Sequence, residues 1–306
     1  MSDLDGVLFF PVTPFDAAGR VDPARLRDHV SHGVSAGPGG VFVACGTGEF
    51  HALDAGEHAQ VVRTAVETAA RQVPVFAGVG GPVPVAREQA RAAADAGADG
   101  LLLLPPYLVT APGAGLVAYT RAVAGASELP VIVYHRTNAR FDIESAAAVA
   151  KLPTVVGFKD GVGDLDLLGR IIVAVRQALA GTGKALQFFN GLPTAEMTAP
   201  AYRGLGVRLY SSAVFCFAPE ISLAFHRAVT TGDEKTVQRL TDGFFAPFVA
   251  LRDTVPGYAV SLVKAGVRLR GMEVGGVRPP LVDPSPDHLA TLEKLIDVGL
   301  DLVART

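Results

Sequence analysis

A lysine closes the apolar run Val155-Val156-Gly157-Phe158, and the turn formers Pro153 and Gly161 bound a stretch with the length of a short strand. Lysine is rarely buried without a partner. Desolvation at a strand end penalises the ammonium form, so Lys159 is placed to act as a neutral amine that attacks a carbonyl. A solvent-facing lysine that snorkels from the strand end is the alternative. Other residues able to share such chemistry also follow short apolar runs. In Cys45-Gly46-Thr47-Gly48-Glu49 the N–H groups of Gly46 and Thr47 suit an anion nest for a carboxylate, or a plain turn. Tyr134 offers a hydroxyl for proton transfer or for packing, and Arg136 beyond it can hold a carboxylate in a bidentate fork, with Asn138 two residues on. Glu49 fits either a site or the entry of a helix. Asn190-Gly191 and Ser211-Ser212 bring an amide and two hydroxyls to the ends of later runs. His51, His58 and His135 lack metal-ligand spacing, so no metal is expected.

These residues meet only if the runs that carry them lie side by side. Eight β-branched or apolar runs, at 7–12, 40–44, 75–79, 100–104, 131–134, 155–159, 186–190 and 207–211, alternate with amphipathic stretches near 23–36, 55–72, 84–96, 114–126, 142–151, 165–180, 193–203 and 219–231. Asp22 before Pro23, Asp54 three residues ahead of Glu57, and Asp142 ahead of Glu144 read as helix starts. Eight strands alternating with helices predict an α/β fold, the (β/α)8 TIM barrel, with reactive groups at the C-terminal ends of its strands. A doubly wound sheet is the competitor, but Pro11-Val12-Thr13-Pro14 stands where a dinucleotide turn needs glycines. Gly78-Val79-Gly80-Gly81 reads as a turn before it reads as a phosphate loop. Past the eighth unit, helices near 233–251, 258–270 and 286–304 follow one another without strands. The expected division is a barrel over residues 1–232 and a C-terminal helical extension over 233–306, serving as cap or oligomer surface.

Composition sets outer bounds. With 306 residues, 49% of them hydrophobic, the chain can bury a large core, yet no apolar stretch is long enough for a membrane span. A net charge of −3 argues against a nucleic-acid surface. Cys45 and Cys216 suit reduced, partly buried thiols better than a disulfide framework, and the acidic start Met1-Ser2-Asp3-Leu4-Asp5 lacks the basic flank of a signal peptide. A cytoplasmic location is expected.

Gly46-Thr47-Gly48-Glu49, Tyr134, Gly157-Phe158-Lys159-Asp160 and Asn190-Gly191, in this order over nearly the whole chain, resemble the dihydrodipicolinate synthase and N-acetylneuraminate lyase superfamily. Within it, Phe10-Pro11-Val12-Thr13-Pro14-Phe15, the segment Ala44 to Phe50, the stretch Tyr134 to Ala139, and Tyr210-Ser211-Ser212-Ala213-Val214-Phe215 are similar to the 5-dehydro-4-deoxyglucarate dehydratases. The resemblance implies that Lys159 forms a Schiff base with a 2-oxo acid, without a cofactor. It implies Tyr134 as proton relay and Thr47 beside it, with the Gly46 and Thr47 amides on the substrate carboxylate. Arg136, Asn138, Ser211 and Ser212 are then candidates for the remaining hydroxyls and the distal carboxylate, joined by Glu49, Asn190 and Gly191 as binding candidates. Gly46 stands where the superfamily's synthases carry a first threonine, and Leu108 where they carry a second tyrosine. Their aldehyde-binding arginine has only Arg136 and Arg140 as candidates. Dehydration with decarboxylation of a sugar acid is therefore expected over synthase chemistry, with aldol cleavage or binding without turnover as the rivals. A homo-oligomer, dimer or tetramer, is implied as well.

Overall fold

The computed structural model describes residues 4–305; the start at Met1, Ser2 and Asp3, read above for the absence of a signal peptide, lies outside the described residues. Eight strands pair in parallel and in chain order, β1 (Val7–Phe9), β2 (Gly40–Val43), β3 (Val75–Val79), β4 (Gly100–Leu103), β5 (Val131–His135), β6 (Val155–Asp160), β7 (Gln187–Asn190) and β8 (Leu209–Ser212). β8 pairs back onto β1, which closes the barrel. The helices are α1 (Pro23–Ser35), α2 (Ala55–Ala69), α3 (Val83–Asp95), α4 (Gly113–Ala124), α5 (Ile143–Ala150), α6 (Leu165–Leu179), α7 (Ala199–Gly204), α8 (Pro219–Thr231), α9 (Glu234–Leu240), α10 (Ala246–Arg252), α11 (Tyr258–Leu269) and α12 (Pro286–Ala304).

Alternation along the strands splits the core in two. Leu8, Phe42, Phe76, Leu102, Ile132, Tyr134, Phe189 and Leu209 form one buried cluster in the lumen, whereas Val7, Val41, Val75, Leu101, Val131 and Phe158 pack outward under the helices. Phe10, Phe42 and Phe76 stack in series, with ring centroids 4.7 Å apart at each step. This fills the lumen, so a ligand has access only at the rims. The helices cover the outer layer with one apolar stripe each. On α6 the stripe is Leu168, Ile171, Ile172, Val175 and Leu179. Their N-termini carry the expected caps: Asp22 accepts from Ala24 and Arg25 N–H, Asp54 and Glu57 form a reciprocal capping box, and Asp142 makes its box with Ser145.

Several boundaries shift by a few residues, and three segments differ for a visible reason. β1 ends at Phe9 rather than Val12, because Pro11 has no N–H to give a ladder. The stretch 193–203 is not one helix: Thr194 adopts φ 50°, a short 3-10 turn spans Ala195–Met197, and α7 begins only at Ala199 with Pro200 in its first turn. The helix expected over 233–251 is α9 and α10 joined by a π-helical turn at Thr241–Phe245. Pro247 follows that turn, and the wider turn accommodates a residue that cannot donate to the helical ladder.

The C-terminal helices return to the barrel. Arg278 donates to Glu57 through both Nη atoms and to the carbonyl of Gly19, and Arg252 Nη1 donates to the carbonyl of Pro193. α10 and α11 thereby stand over the C-terminal ends of the strands, where they complete the walls of the cavity described next.

Candidate active site

A cavity of about 520 Å³ opens at the C-terminal rim of the barrel. Lys159, Tyr134, Gly46, Thr47, Arg136, Asn138, Gly191 and Ser211 all line it. β6 delivers Lys159 with its side chain 5% exposed, and the β5–β6 register sets Tyr134 directly opposite. Lys159 Nζ lies 4.3 Å from the Phe10 ring centroid and 4.4 Å from that of Tyr134. Among the described residues no carboxylate pairs with it. Burial therefore dominates and lowers its pKa; the Tyr134 and Cys45 oxygen and sulfur work in the opposite direction, and the Arg136 guanidinium adds to the lowering. Cys45 itself is inert, its thiol pushed up to about 12 by burial.

Glycine makes this lysine possible. A Cβ on Gly191 would stand 2.7 Å from Lys159 Cε and Cγ, and one on Gly161 would stand 2.7 Å from the Tyr134 ring. Tyr134 donates its hydroxyl proton to the Gly191 carbonyl at 2.9 Å, and Arg136 Nη1 donates to the phenol oxygen at 3.0 Å. The guanidinium thus lies against the atom that carries negative charge when the phenol gives up a proton. Behind the pair, Asp160 accepts from Tyr202, from the Val162 N–H at 3.1 Å and from the Gly163 N–H at 3.2 Å. His135 Nδ1 accepts the Phe141 N–H at 3.0 Å, which turns its Nε2 toward Asp160, 3.8 Å away. These contacts lock the ends of β5 and β6 on either side of the lysine.

The turn after β2 presents two unused donors. Neither the Gly46 nor the Thr47 N–H donates within the described residues, while the bonds from Glu49 N–H to Gly46 O and from Phe50 N–H to Cys45 O hold the turn closed. Nothing lies within 4 Å of where a Gly46 Cβ would stand, so a ligand can approach that backbone closely. Two non-glycine residues, Ala44 at φ 50° and Glu49 at φ 55°, frame the turn in the left-handed region. Such conformations persist only where surrounding contacts impose them.

Three residues expected at the site are elsewhere. Glu49 is not on the cavity wall; it is fully buried against Lys264 Nζ at 2.7 Å and accepts the Arg278 N–H at 2.8 Å. Its left-handed backbone turns the side chain away from the mouth, which the motif alone does not reveal. Asn190 Nδ2 donates to the Ala195 carbonyl and to Thr198 Oγ1, bracing the turn before α7. Ser212 points out of the lumen, accepts from Ser222 and Phe215, and donates to the buried carboxyl of Glu196. Strand alternation separates it from Ser211, which does face the cavity. Conversely, Thr194 and Arg252 line the cavity although no motif marks them. Arg252 Nη1 donates to Thr194 Oγ1 at 2.9 Å while Asp253 takes its Nε, and no local signal in α10 marks it as facing a site. Tyr107 also reaches the wall, whereas Leu108 is fully exposed.

A buried amine of lowered pKa, a phenol beside it and two free amides on the opposite wall equip the cavity to bind a carboxylate next to a carbonyl and to form an imine there. The model of the dihydrodipicolinate synthetase family matches residues 3–298. Over 298 residues the chain is 57% identical to a probable 5-dehydro-4-deoxyglucarate dehydratase 1 of Streptomyces coelicolor, covering 97% of this chain and 94% of that one. A probable 5-dehydro-4-deoxyglucarate dehydratase of Paracidovorax citrulli is 43% identical over 293 residues, with 95% and 94% covered. Among solved structures, dihydrodipicolinate synthase from Oceanobacillus iheyensis superposes with a TM-score of 0.85 at 27% identity, covering 95% of each chain. The enzyme of that name from Bacillus clausii superposes equally well, at 0.85 and 25% identity over 96% of this chain and 97% of the other.

Proposed function

Since the chain belongs to the dihydrodipicolinate synthetase family, we propose that it is a Schiff-base lyase that dehydrates and decarboxylates 5-dehydro-4-deoxy-D-glucarate to 2,5-dioxopentanoate. The relatives that share half or more of its residues carry that substrate in their names. The observation that carries the reading is Lys159, an amine desolvated at the barrel rim and facing Tyr134, with the unused Gly46 and Thr47 amides on the same cavity.

The chemistry follows from the order of groups in the substrate. Its ketone adjoins one terminal carboxylate, which the Gly46 and Thr47 amides hold while Lys159 Nζ attacks the carbonyl and water is lost. The resulting iminium withdraws electrons and acidifies the neighbouring CH2. Tyr134 relays the proton: the phenol gives its own proton to the departing hydroxyl one carbon further out as its oxygen, stabilised as phenolate by Arg136, takes the CH2 proton and is restored. The new double bond conjugates the iminium toward the distal carboxylate. Cleavage of the bond to that carboxylate sends its electron pair through the conjugated system to nitrogen and releases carbon dioxide. Proton uptake on carbon and hydrolysis of the iminium then give 2,5-dioxopentanoate and free Lys159. Per substrate the balance is one proton consumed, with one water and one carbon dioxide released. Arg136, Asn138 and Ser211 are assigned to the distal carboxylate and hydroxyls, because they share the cavity wall with Lys159.

The protein acts as a homo-oligomer in the cytoplasm on this reading. Tyr107, Leu108 and Val109 expose an apolar run beside the mouth, and two buried free thiols, Cys45 and Cys216, suit a reducing compartment. Incubation with 5-dehydro-4-deoxyglucarate tests the function: carbon dioxide with a five-carbon product supports it, and pyruvate with an aldehyde would assign the site to aldol cleavage.

A further inference from the structure

We propose that Lys264 and Glu49 form a positioning pair by which helix α11 holds the carboxylate-binding turn in register with Lys159. The inference rests on the reading of Gly46 and Thr47 as carboxylate donors. Glu49 and Lys264 are both 0% exposed and meet at 2.7 Å, 215 residues apart in sequence. Two charges so far from water are costly unless paired, and here both Glu49 oxygens accept hydrogen bonds while Lys264 has Glu49 and the face of Phe15. The Arg278 N–H donates to the second Glu49 oxygen, and Lys264 Nζ lies 3.9 Å from the Phe15 ring centroid.

The pair acts on the turn because of where Glu49 sits. It is two residues beyond Thr47 and holds φ 55°, a conformation that a residue with a side chain keeps only under constraint. The residue before Glu49 is pinned as well: Thr13 Oγ1 donates to the Gly48 carbonyl at 2.6 Å. This gives a role to the segment Phe10 to Phe15. Phe10 lies against Lys159, Thr13 holds Gly48, and Phe15 covers the ion pair. α11 in turn lines the cavity with Ala259 and Val260, one turn before Lys264. One helix therefore shapes the wall and fixes the anion turn opposite it. Neither Glu49 nor Lys264 lines the cavity, so their effect on substrate passes through the Gly46 and Thr47 amides.

The test compares wild type with Lys264→Met and with the neutral pair Glu49→Gln/Lys264→Met, using borohydride trapping on two probes. Pyruvate carries the carboxylate that the turn recognises, and hydroxyacetone does not. In the neutral pair, which leaves no buried charge and so keeps the fold, the concentration of pyruvate needed for half-maximal trapping rises roughly 10- to 100-fold while trapping of hydroxyacetone is unchanged. In Lys264→Met the unpaired Glu49 carboxylate also repels the probe, so pyruvate is affected more than in the neutral pair. KM for the substrate rises in step, with a smaller change in kcat. Equal loss for both probes, or wild-type pyruvate binding in the folded neutral pair, overturns the proposal. Failure of wild type to trap either probe overturns instead the assignment of Lys159, on which both rest.

Discussion

Tyr134 and Lys159 are register partners on neighbouring strands, and Lys159 Nζ lies 4.4 Å from the centroid of the Tyr134 ring. Gly191, on the far side of Lys159, makes the third corner: its carbonyl accepts the Tyr134 hydroxyl, and its missing side chain leaves the channel through which the lysine passes. The amine and the phenol are thus fixed by three adjacent segments of a closed barrel rather than by a mobile loop.

Removal of the phenol separates imine formation from proton transfer. Tyr134→Phe keeps the ring against Lys159 and loses only the hydroxyl, so kcat for the dehydration falls about 10²- to 10⁴-fold while a 2-oxo acid is still trapped on Lys159. Steady-state kinetics beside reductive trapping checks this. Loss of trapping along with turnover would assign Tyr134 to holding the lysine instead.

Gly191→Ala places a methyl 2.7 Å from Lys159 Cε and Cγ and 2.9 Å from the Asp160 carbonyl. Overpacking of this kind costs about 1–3 kcal/mol of stability, and the lysine, as the more mobile neighbour, gives way. The variant folds, melts at a lower temperature and traps little substrate. A fully active Gly191→Ala protein would show that the lysine reaches the cavity by another path.

Much of this geometry could be read from the chain, and the parts that could not have identifiable physical causes. Lys159, Tyr134 and Gly46-Thr47 stand at the ends of apolar runs, and a barrel gathers all strand ends at one rim, so their convergence follows from topology alone. Glu49, Asn190 and Ser212 lie within one or two residues of cavity groups, yet point elsewhere. Their directions depend on a left-handed backbone, on a turn and on strand parity, which spacing cannot resolve. Arg252 and Thr194 were invisible for the opposite reason. They join the cavity only because α10 packs across the mouth, a tertiary contact between segments 58 residues apart.

The pH dependence of trapping reports on the desolvated amine. Lys159 sits below the ordinary lysine value of 10.5, chiefly through burial. Attack requires the neutral form, so the rate rises with pH and reaches its plateau at lower pH than for a solvent-exposed lysine. Arg136→Gln removes a cation that adds to the lowering, and moves the plateau to higher pH. Trapping rates with pyruvate from pH 6 upward measure both.

A second titration affects stability rather than chemistry. Burial raises the Glu196 carboxyl from 4.5 to about 7, against the opposing hydrogen bond from Ser212. The folded protein binds this proton more tightly than the unfolded chain. The stabilisation is therefore fully present below pH 4.5 and is lost as pH rises through about 7. Glu196→Gln, which cannot ionise, removes this part of the decline. Denaturant melts of the two proteins between pH 5 and 8 check it, and parallel curves would contradict the assignment.

Mass analysis of borohydride-treated protein tests the central claim most directly. Wild type treated with 5-dehydro-4-deoxyglucarate and reductant gains a covalent adduct on the peptide that contains Lys159, and Lys159→Arg gains none and has no dehydratase activity. Turnover by the wild type with no adduct at Lys159, or an equal adduct in Lys159→Arg, contradicts the account.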